Sequence, residues 1–176
     1  MTNTILMIPG IGNSGPEHWQ SRWQMAHPDY RRVEQRDWDR PVCAEWCATL
    51  ERAVTGAGAS SILVAHSLGC LLVAHWLHAT RQRVAAALLV AVPDPAGRQF
   101  PSDAIGFAPV PRGRFPCPSM MVASRDDPYA SIEYARERAH DWGSELVDIG
   151  CAGHINAASG LRDWPEGHEL LARLTS

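Results

Sequence analysis

The chain has 176 residues, 45% of them hydrophobic, and a formal net charge of −3, which are values typical of a globular domain with one substantial core. This charge gives no basic surface, so we expect neither a nucleic-acid partner nor a membrane partner. All 16 cationic side chains are arginine, and the absence of lysine excludes Schiff-base lysines and lysine-containing phosphate loops.

The chain opens with an apolar segment, residues 4–8, that is closed by Pro9 and Gly10. No positively charged leader precedes it, and no apolar stretch in the chain approaches the roughly 20 residues of a membrane span. We therefore expect a cytoplasmic location and a buried parallel strand at residues 4–8.

The loop after this strand, residues 10–15, matches the G-x-G-x-x-G pattern of dinucleotide-binding folds, with Asp37 at a suitable distance. Prolines flank the pattern, however, and bulky polar residues follow where a helix would need small ones. The alternative is a loop that stabilises an oxyanion, with one backbone N–H from this loop and one from the residue after a nucleophile. By position, those two donors are Ile11 and Leu68.

The next segments alternate between helical and extended patterns. A helix is predicted at residues 16–26, where Pro16 suits the first turn, and another at 42–55, where apolar residues recur at helical spacing. Residues 30–38 alternate enough in polarity to predict an edge strand.

A candidate nucleophile lies where an apolar strand, residues 60–65, meets an apolar helix, residues 68–78. The junction AHSLG, residues 65–69, has small residues that let the backbone turn sharply and expose a hydroxyl, as in the nucleophile elbow G-x-S-x-G. Ala65 replaces the first glycine of that motif. Ser67 is therefore the candidate nucleophile, and the alternative is a serine that only caps the helix.

Downstream, an apolar strand at residues 84–92 precedes a segment without periodicity, residues 93–118, which holds seven of the 13 prolines. Since this segment starts beyond the end of a strand, we expect it to cover or rim a substrate cleft near the active site. The last predicted elements are strands at 119–123 and 145–149 and helices at 132–142 and 166–174.

The alternation of strands and helices predicts one α/β domain over residues 1–176, with a mostly parallel sheet of about six strands and helices on both faces. Catalytic groups gather at the carboxyl ends of such strands. Ser67, the pair Asp126 and Asp127, and His154 follow three successive strands. Their order, Ser, Asp, His, is the order found in α/β-hydrolases.

These three residue types complete a set for acyl transfer, because an imidazole can take the serine proton and a carboxylate can orient that imidazole. We prefer Asp127 to Asp126 as the orienting acid, since Pro128 would hold its loop. Asp94 is a third candidate. Four other histidines are interpreted as structural: His66 beside the nucleophile, His75 and His78 on the helix that follows it, and His168 on the last helix.

The five cysteines are odd in number and include no C-x-x-C pair. Cys43 and Cys47 share a helix face, but no second pair completes a zinc site. We therefore expect free thiols in a reducing compartment, no metal site and no cofactor.

Several motifs, spread over nearly the whole chain, resemble a known family. They are Pro9-Gly10 with His18-Trp19, HSLG at residues 66–69, residues 124–129, GHINAASGL at 153–161 and DWPEG at 163–167. The sequence resembles the small serine hydrolases of the retinoblastoma-binding protein 9 and YdeN type. This resemblance implies an α/β-hydrolase fold without a large cap domain, and a serine hydrolase that uses Ser67, Asp127 and His154 with no cofactor.

The sequence thus predicts a serine hydrolase that cleaves a small-molecule ester, thioester or amide through an acyl-enzyme on Ser67. The substrate pocket is expected to include Gly10, His18, Trp19 and Asn156. The alternative is a catalytically weak protein that uses the hydrolase fold as a protein-interaction module. A protein partner is therefore left open.

Overall fold

The apolar segments predicted as strands pair in parallel into one sheet in the computed structural model, which describes residues 3–175. Within this range the sheet has six strands, in the order β2-β1-β3-β4-β5-β6. Their bounds are β1 Thr4–Ile8, β2 Arg31–Arg32, β3 Ser61–His66, β4 Ala86–Val90, β5 Ser119–Ala123 and β6 Glu145–Asp148.

Helices cover both faces of the sheet, as the sequence predicts. Their bounds are α1 Trp19–Ala26, α2 Cys43–Ala57, α3 Leu68–Ala79, α4 Ile132–Trp142 and α5 Pro165–Leu174. Helices α2, α3 and α4 pack on one face, and α1 and α5 pack on the other. No helix in the described range is both long and apolar enough to cross a membrane.

The central strand β3 shows why its sequence is almost continuously apolar. Successive side chains of a strand point to opposite faces, so Leu63 and Ala65 pack against α2 and α3 while Ile62 and Val64 pack against the α1 and α5 side. All six residues of β3 are buried. A strand covered on both faces has no solvent side on which polar residues are needed.

Two predicted elements are shorter in the structure. The edge strand predicted at 30–38 pairs with β1 only at Arg31–Arg32, with one further bond from the Val33 N–H to the Met7 carbonyl oxygen, 2.9 Å. The chain then turns away, because the remaining charged residues have no buried face to fill. The first helix begins at Trp19, and His18, not Pro16, occupies its start as the N-cap.

The proline-rich segment, residues 93–118, has irregular backbone but is anchored by aromatic side chains. Phe107 is fully buried and its ring meets Trp46 edge-on, while Phe115 stacks on Trp142 at 4.9 Å between ring centroids. These contacts fix the segment across α2 and α4. Near its start, the Asp94 N–H donates to the carbonyl oxygen of Tyr129 at 3.0 Å, which ties the segment to the loop after β5.

Candidate active site

The loops after β3, β5 and β6 bring the three predicted residues into one hydrogen-bonded row. Ser67 Oγ lies 2.8 Å from Nε2 of His154, and Nδ1 of His154 lies 2.9 Å from each carboxylate oxygen of Asp127. The side chains of His154 and Asp127 are 9% and 4% exposed. The carboxylate accepts the Nδ1–H, so Nε2 is left as the acceptor for the serine hydroxyl.

Ser67 occupies a strained backbone conformation at the turn between β3 and α3. Its φ and ψ angles are 54° and −126°, a region that side-chain-bearing residues enter at a cost of roughly 1–3 kcal/mol. The Ser67 N–H donates to the carbonyl oxygen of Val90 on β4, 2.9 Å away. This geometry is that of a nucleophile elbow, and it raises the hydroxyl above the sheet edge.

Two glycines allow the elbow to pack closely against the end of β1. A Cβ atom on Gly69 would lie 2.7 Å from the carbonyl oxygen of Pro9, and one on Gly10 would lie 3.0 Å from the Cβ of Ser67. The contact at Gly69 would force the two backbone segments apart, and the one at Gly10 would require its neighbours to shift by a few tenths of an ångström. Gly10, the first glycine of the loop at residues 10–15, therefore has a role in the close packing of this loop against the elbow.

The loops that carry Asp127 and His154 are tied together by the neighbouring acid, Asp126. Its Oδ1 accepts from the Ser124 hydroxyl at 2.7 Å and from the Gly153 N–H at 2.8 Å. These two hydrogen bonds, that from Ser124 first, lower the pKa of Asp126. Helix α4 is capped by Ser131, so Asp126 does not cap it.

The third acid candidate, Asp94, lies outside the row. Its carboxylate accepts the N–H of Ala96 at 2.9 Å, closing a local turn. Asp127 instead accepts both from His154 and from the Tyr129 N–H, 2.9 Å away, which fixes the orientation of its carboxylate.

Ile11 and Leu68, the two residues expected to supply oxyanion donors, both line the cavity at Ser67. Among the described residues neither backbone N–H has a hydrogen-bond partner. Unpartnered N–H groups beside a nucleophile can bind a developing oxyanion.

A cavity of about 420 Å³ opens above Ser67. Polar and small residues from the loop at 10–18 and from the His154 loop form one part of its wall, and the proline-rich segment and Tyr129 form another. Of the expected pocket residues, Gly10, His18 and Asn156 line it. Pro93, Phe100 and Pro101 of the proline-rich segment also line it, as does Tyr129; the sequence indicated the segment near the cleft but not these individual side chains.

Trp19 does not line this cavity, so its assignment to the pocket was wrong. Its side chain is 1% exposed and packs in the core beneath α1 and α5. The indole N–H donates to the carbonyl oxygen of Ile155, 2.9 Å away. Trp19 lies at the start of α1, and its ring faces the sheet. It therefore holds the loop that carries His154 through the bond to Ile155 without reaching the cavity.

Two further histidines, His18 and His66, lie next to His154. His66 is 5% exposed, and its Nε2–H donates to the carbonyl oxygen of His154, 2.9 Å away. Burial, followed by the nearness of His18 and His154, lowers the pKa of His66 well below its usual range. Its ring is therefore neutral around pH 7, and it stabilises the loop that carries His154.

The described residues, 3–175, contain no group of three His, Cys, Asp or Glu side chains that could hold a metal ion. The Sγ atoms of Cys43 and Cys47 lie 4.0 Å apart on α2, and all five cysteines are free.

Comparison with known proteins places the chain in a family. A family model described as serine hydrolase matches residues 5–173. The crystal structure of a YdeN-like hydrolase from Pectobacterium atrosepticum is 33% identical, with a TM-score of 0.88 over 99% of this chain and 91% of that chain. The ydeN gene product of B. subtilis is 21% identical, with a TM-score of 0.83 over 98% of both chains.

More distant structures share the fold. A thermophilic esterase from Thermogutta terrifontis is 15% identical, with a TM-score of 0.68 over 100% of this chain and 92% of that chain. A search of curated protein sequences gave no match. The predicted α/β-hydrolase fold without a cap domain is confirmed, and the chain belongs to the serine hydrolase family, in which it is similar to the small YdeN-like hydrolases.

Proposed function

We propose that the protein is a carboxylesterase-like enzyme that hydrolyses small acyl substrates through an acyl-enzyme on Ser67. The observation that carries the proposal is the continuous row from Ser67 Oγ through His154 to Asp127, with contacts of 2.8 and 2.9 Å. Each contact joins the atoms that a serine hydrolase needs to join.

In the acylation step, Ser67 Oγ attacks the substrate carbonyl carbon while its proton moves to Nε2 of His154. Asp127 holds the Nδ1–H and stabilises the imidazolium that forms. The negative charge on the carbonyl oxygen is bound by the N–H groups of Ile11 and Leu68. When the tetrahedral intermediate collapses, the leaving alcohol takes the proton from Nε2.

In the deacylation step, water replaces the alcohol. It gives a proton to Nε2 of His154 while its oxygen attacks the acyl carbonyl, and the same proton then returns to Ser67 Oγ as the acid is released. The cycle needs no metal and no cofactor. A thioester or an amide would follow the same steps with a thiol or an amine as leaving group.

The cavity and the cysteines support two finer parts of the proposal. A space of about 420 Å³ with both apolar and polar walls suits a small or extended acyl substrate. Five free cysteines suit a reducing compartment, so we propose a cytoplasmic location.

The test uses a fluorophosphonate, which reacts with an activated serine hydroxyl. We expect one covalent adduct per chain by intact-protein mass spectrometry, and its loss in Ser67→Ala. Ser60→Ala is a matched control, because Ser60 lies before β3 at the opposite end of the sheet. Absence of both the adduct and hydrolysis of 4-nitrophenyl esters would refute the proposal and favour the interaction-module alternative.

A panel of 4-nitrophenyl esters from acetate to dodecanoate then tests the substrate class. We expect kcat/KM to be highest for short acyl chains, because the cavity is small and partly polar. A maximum at dodecanoate would contradict the proposed acyl size.

A further inference from the structure

Tyr129 places an aromatic ring beside the proposed base. Its ring centroid lies 4.4 Å from that of His154, and the two ring planes are tilted by 49°. Its backbone N–H donates to Oδ1 of Asp127, 2.9 Å away, so the residue is fixed to the orienting acid as well. Tyr129 is only partly buried and lines the cavity above Ser67, so it can meet a bound substrate.

A short series of backbone hydrogen bonds joins Tyr129 to a second aromatic residue, Phe100. The Asp94 N–H donates to the Tyr129 carbonyl oxygen at 3.0 Å, and the Gly97 N–H donates to the Asp94 carbonyl oxygen at 2.9 Å. The Phe100 N–H then donates to the Gly97 carbonyl oxygen at 3.1 Å. The start of the proline-rich segment is therefore bonded, turn by turn, to the loop that carries Tyr129.

Phe100 and Tyr129 give the cavity an aromatic part. They are the two residues with benzene rings among the described residues that line it, and Pro93 and Pro101 add apolar surface from the same segment. Phe100 is partly buried and packs against the core, which holds it in place. The volume of about 420 Å³ is sufficient for a six-membered ring together with a small acyl group.

The acylation step decides which part of the substrate lies nearest to Tyr129. The carbonyl oxygen must point to the proposed donors, the N–H groups of Ile11 and Leu68. The leaving oxygen must instead lie within hydrogen-bond reach of Nε2 of His154, which gives it a proton. The alcohol part of the ester is thus next to the imidazole, and Tyr129 packs on that imidazole.

We propose that Tyr129 and Phe100 form an aromatic subsite for the leaving group, which makes Tyr129 a specificity-determining residue. The inference rests on the proposed hydrolase function and defines its substrate class more narrowly. The preferred substrates are esters that join a small acyl group to an alcohol with an aromatic ring. An aromatic ring stacks offset or edge-on against these side chains, a contact that a saturated ring of similar size lacks.

The competing explanation is that the ring of Tyr129 acts only on His154. An aromatic ring within about 6 Å stabilises a cation, and His154 is cationic once it has taken the serine proton. If this were the only part of the ring in catalysis, its removal would lower kcat for every ester alike. The two explanations therefore differ in substrate discrimination.

The test compares matched esters in two pairs. Benzyl butyrate and cyclohexylmethyl butyrate differ only in whether the ring of the alcohol is aromatic. Methyl phenylacetate and methyl cyclohexylacetate differ in the same way in the acyl group. The ratio of kcat/KM values within each pair is measured by titration of the released acid, in the wild type and in variants, so that the intrinsic reactivity of each ester cancels.

The variants separate the ring from the hydroxyl. Tyr129→Leu removes the ring, and we expect it to lower the ratio of benzyl to cyclohexylmethyl ester about three- to tenfold, which is the effect of one aromatic pair. Tyr129→Phe keeps the ring and should keep the wild-type ratio. Phe100→Leu should lower the ratio in the same direction. In each variant the acyl pair should change less than the alcohol pair.

Tyr30→Leu is the matched control and should leave both ratios unchanged. Tyr30 is also partly buried and its ring also stacks on a histidine, His27, but it lies outside the cavity.

Two results, with the fluorophosphonate adduct on Ser67 still forming, would overturn this inference and leave the proposed function intact. One is an unchanged benzyl ratio in both Tyr129→Leu and Phe100→Leu. The other is a fall in the phenylacetate ratio as large as that in the benzyl ratio, which would place the acyl group against the aromatic rings. Absence of the adduct in the wild type would instead refute the proposed function itself.

Discussion

The residue that precedes the nucleophile holds the loop that carries the proposed base: His66 Nε2 lies 2.9 Å from the backbone carbonyl oxygen of His154. The two rings are 5.0 Å apart between centroids. One end of the elbow thus fixes both Ser67, through the backbone, and His154, through this hydrogen bond. A side chain interpreted from the sequence as structural has a direct part in the geometry of the site.

Removing the His66 donor should misplace His154. We expect His66→Leu to lower kcat by about 10- to 100-fold with a smaller change in KM, because small displacements of a catalytic group are costly. His66→Gln, whose amide N–H can replace the donor, should restore most of kcat. A loss of stability alone, with kcat unchanged in the folded fraction, would contradict this role, so kcat should be measured on protein shown by circular dichroism to be folded.

The same substitution should lower kcat far more at Asp127 than at the adjacent Asp126. Asp127→Asn replaces an acceptor by an amide that can hold His154 in the wrong tautomer, and we expect kcat to fall about 10⁴-fold. Asp126→Asn keeps its Oδ1 as an acceptor for Ser124 and Gly153, so kcat should fall much less. Steady-state kinetics with 4-nitrophenyl butyrate measures both. A larger loss in Asp126→Asn would reverse the assignment.

Patterns that many residues share were sufficient to predict most of the fold. The four inner strands, β1, β3, β4 and β5, are buried apolar runs, and the helices between them show apolar residues at helical spacing. The strand predicted at 30–38 was too long because Val33 is the one fully buried hydrophobic residue in it, while Tyr30 and Trp38 at its ends are only partly buried. Charged residues that alternate with other residues indicate a strand only where one face of that strand is buried.

Neighbouring residues in the site were harder to separate. His18 and Trp19 are consecutive, yet His18 caps α1 at the cavity and Trp19 turns into the core. The sequence predicts that the pair matters but not which of the two residues lines the cavity, because that depends on where the helix begins. The apolar wall from Phe100 and Pro101 was foreseeable only as a segment, since no periodicity assigns its side chains.

The two small residues on either side of Ser67, Ala65 and Gly69, should differ in how well they tolerate substitution. Gly69→Ala would place a Cβ against the carbonyl oxygens of Ile8 and Pro9, and we expect a loss of about 1–3 kcal/mol in the free energy of unfolding and a marked fall in kcat. Ala65→Gly restores the G-x-S-x-G consensus within a buried strand. It should cost about 0.5–1 kcal/mol in stability and leave kcat nearly unchanged. Urea unfolding measures the stability of the two variants, and ester hydrolysis measures their activity. Equal losses of activity in Gly69→Ala and Ala65→Gly would contradict the view that the close packing at Gly69 is what the elbow requires.

Stability should fall in weak acid because of the buried histidines. The pKa of His18 drops from 6.5 to about 4 on folding, so between these pH values the unfolded chain binds a proton that the folded chain excludes. The free energy of unfolding therefore decreases as pH falls through this range, by about 3 kcal/mol for His18 alone. His66, whose pKa is also lowered by burial, adds to the decrease.

Urea titrations at pH 7, 6, 5 and 4.5 measure this slope. His18→Asn should flatten it, leaving the part due to His66 and His168, whose pKa values are also lowered by burial. His140→Asn, at an exposed histidine on α4, should leave the slope unchanged. Four acids have a lowered pKa, and they lose their stabilising charge only as the pH falls below their ordinary values of 3.8 to 4.5, at or below the lower end of the measured range: Asp37, Glu51, Asp126 and Asp148. An identical slope in the wild type and in His18→Asn would show that His18 takes up its proton as readily in the folded chain as in the unfolded one.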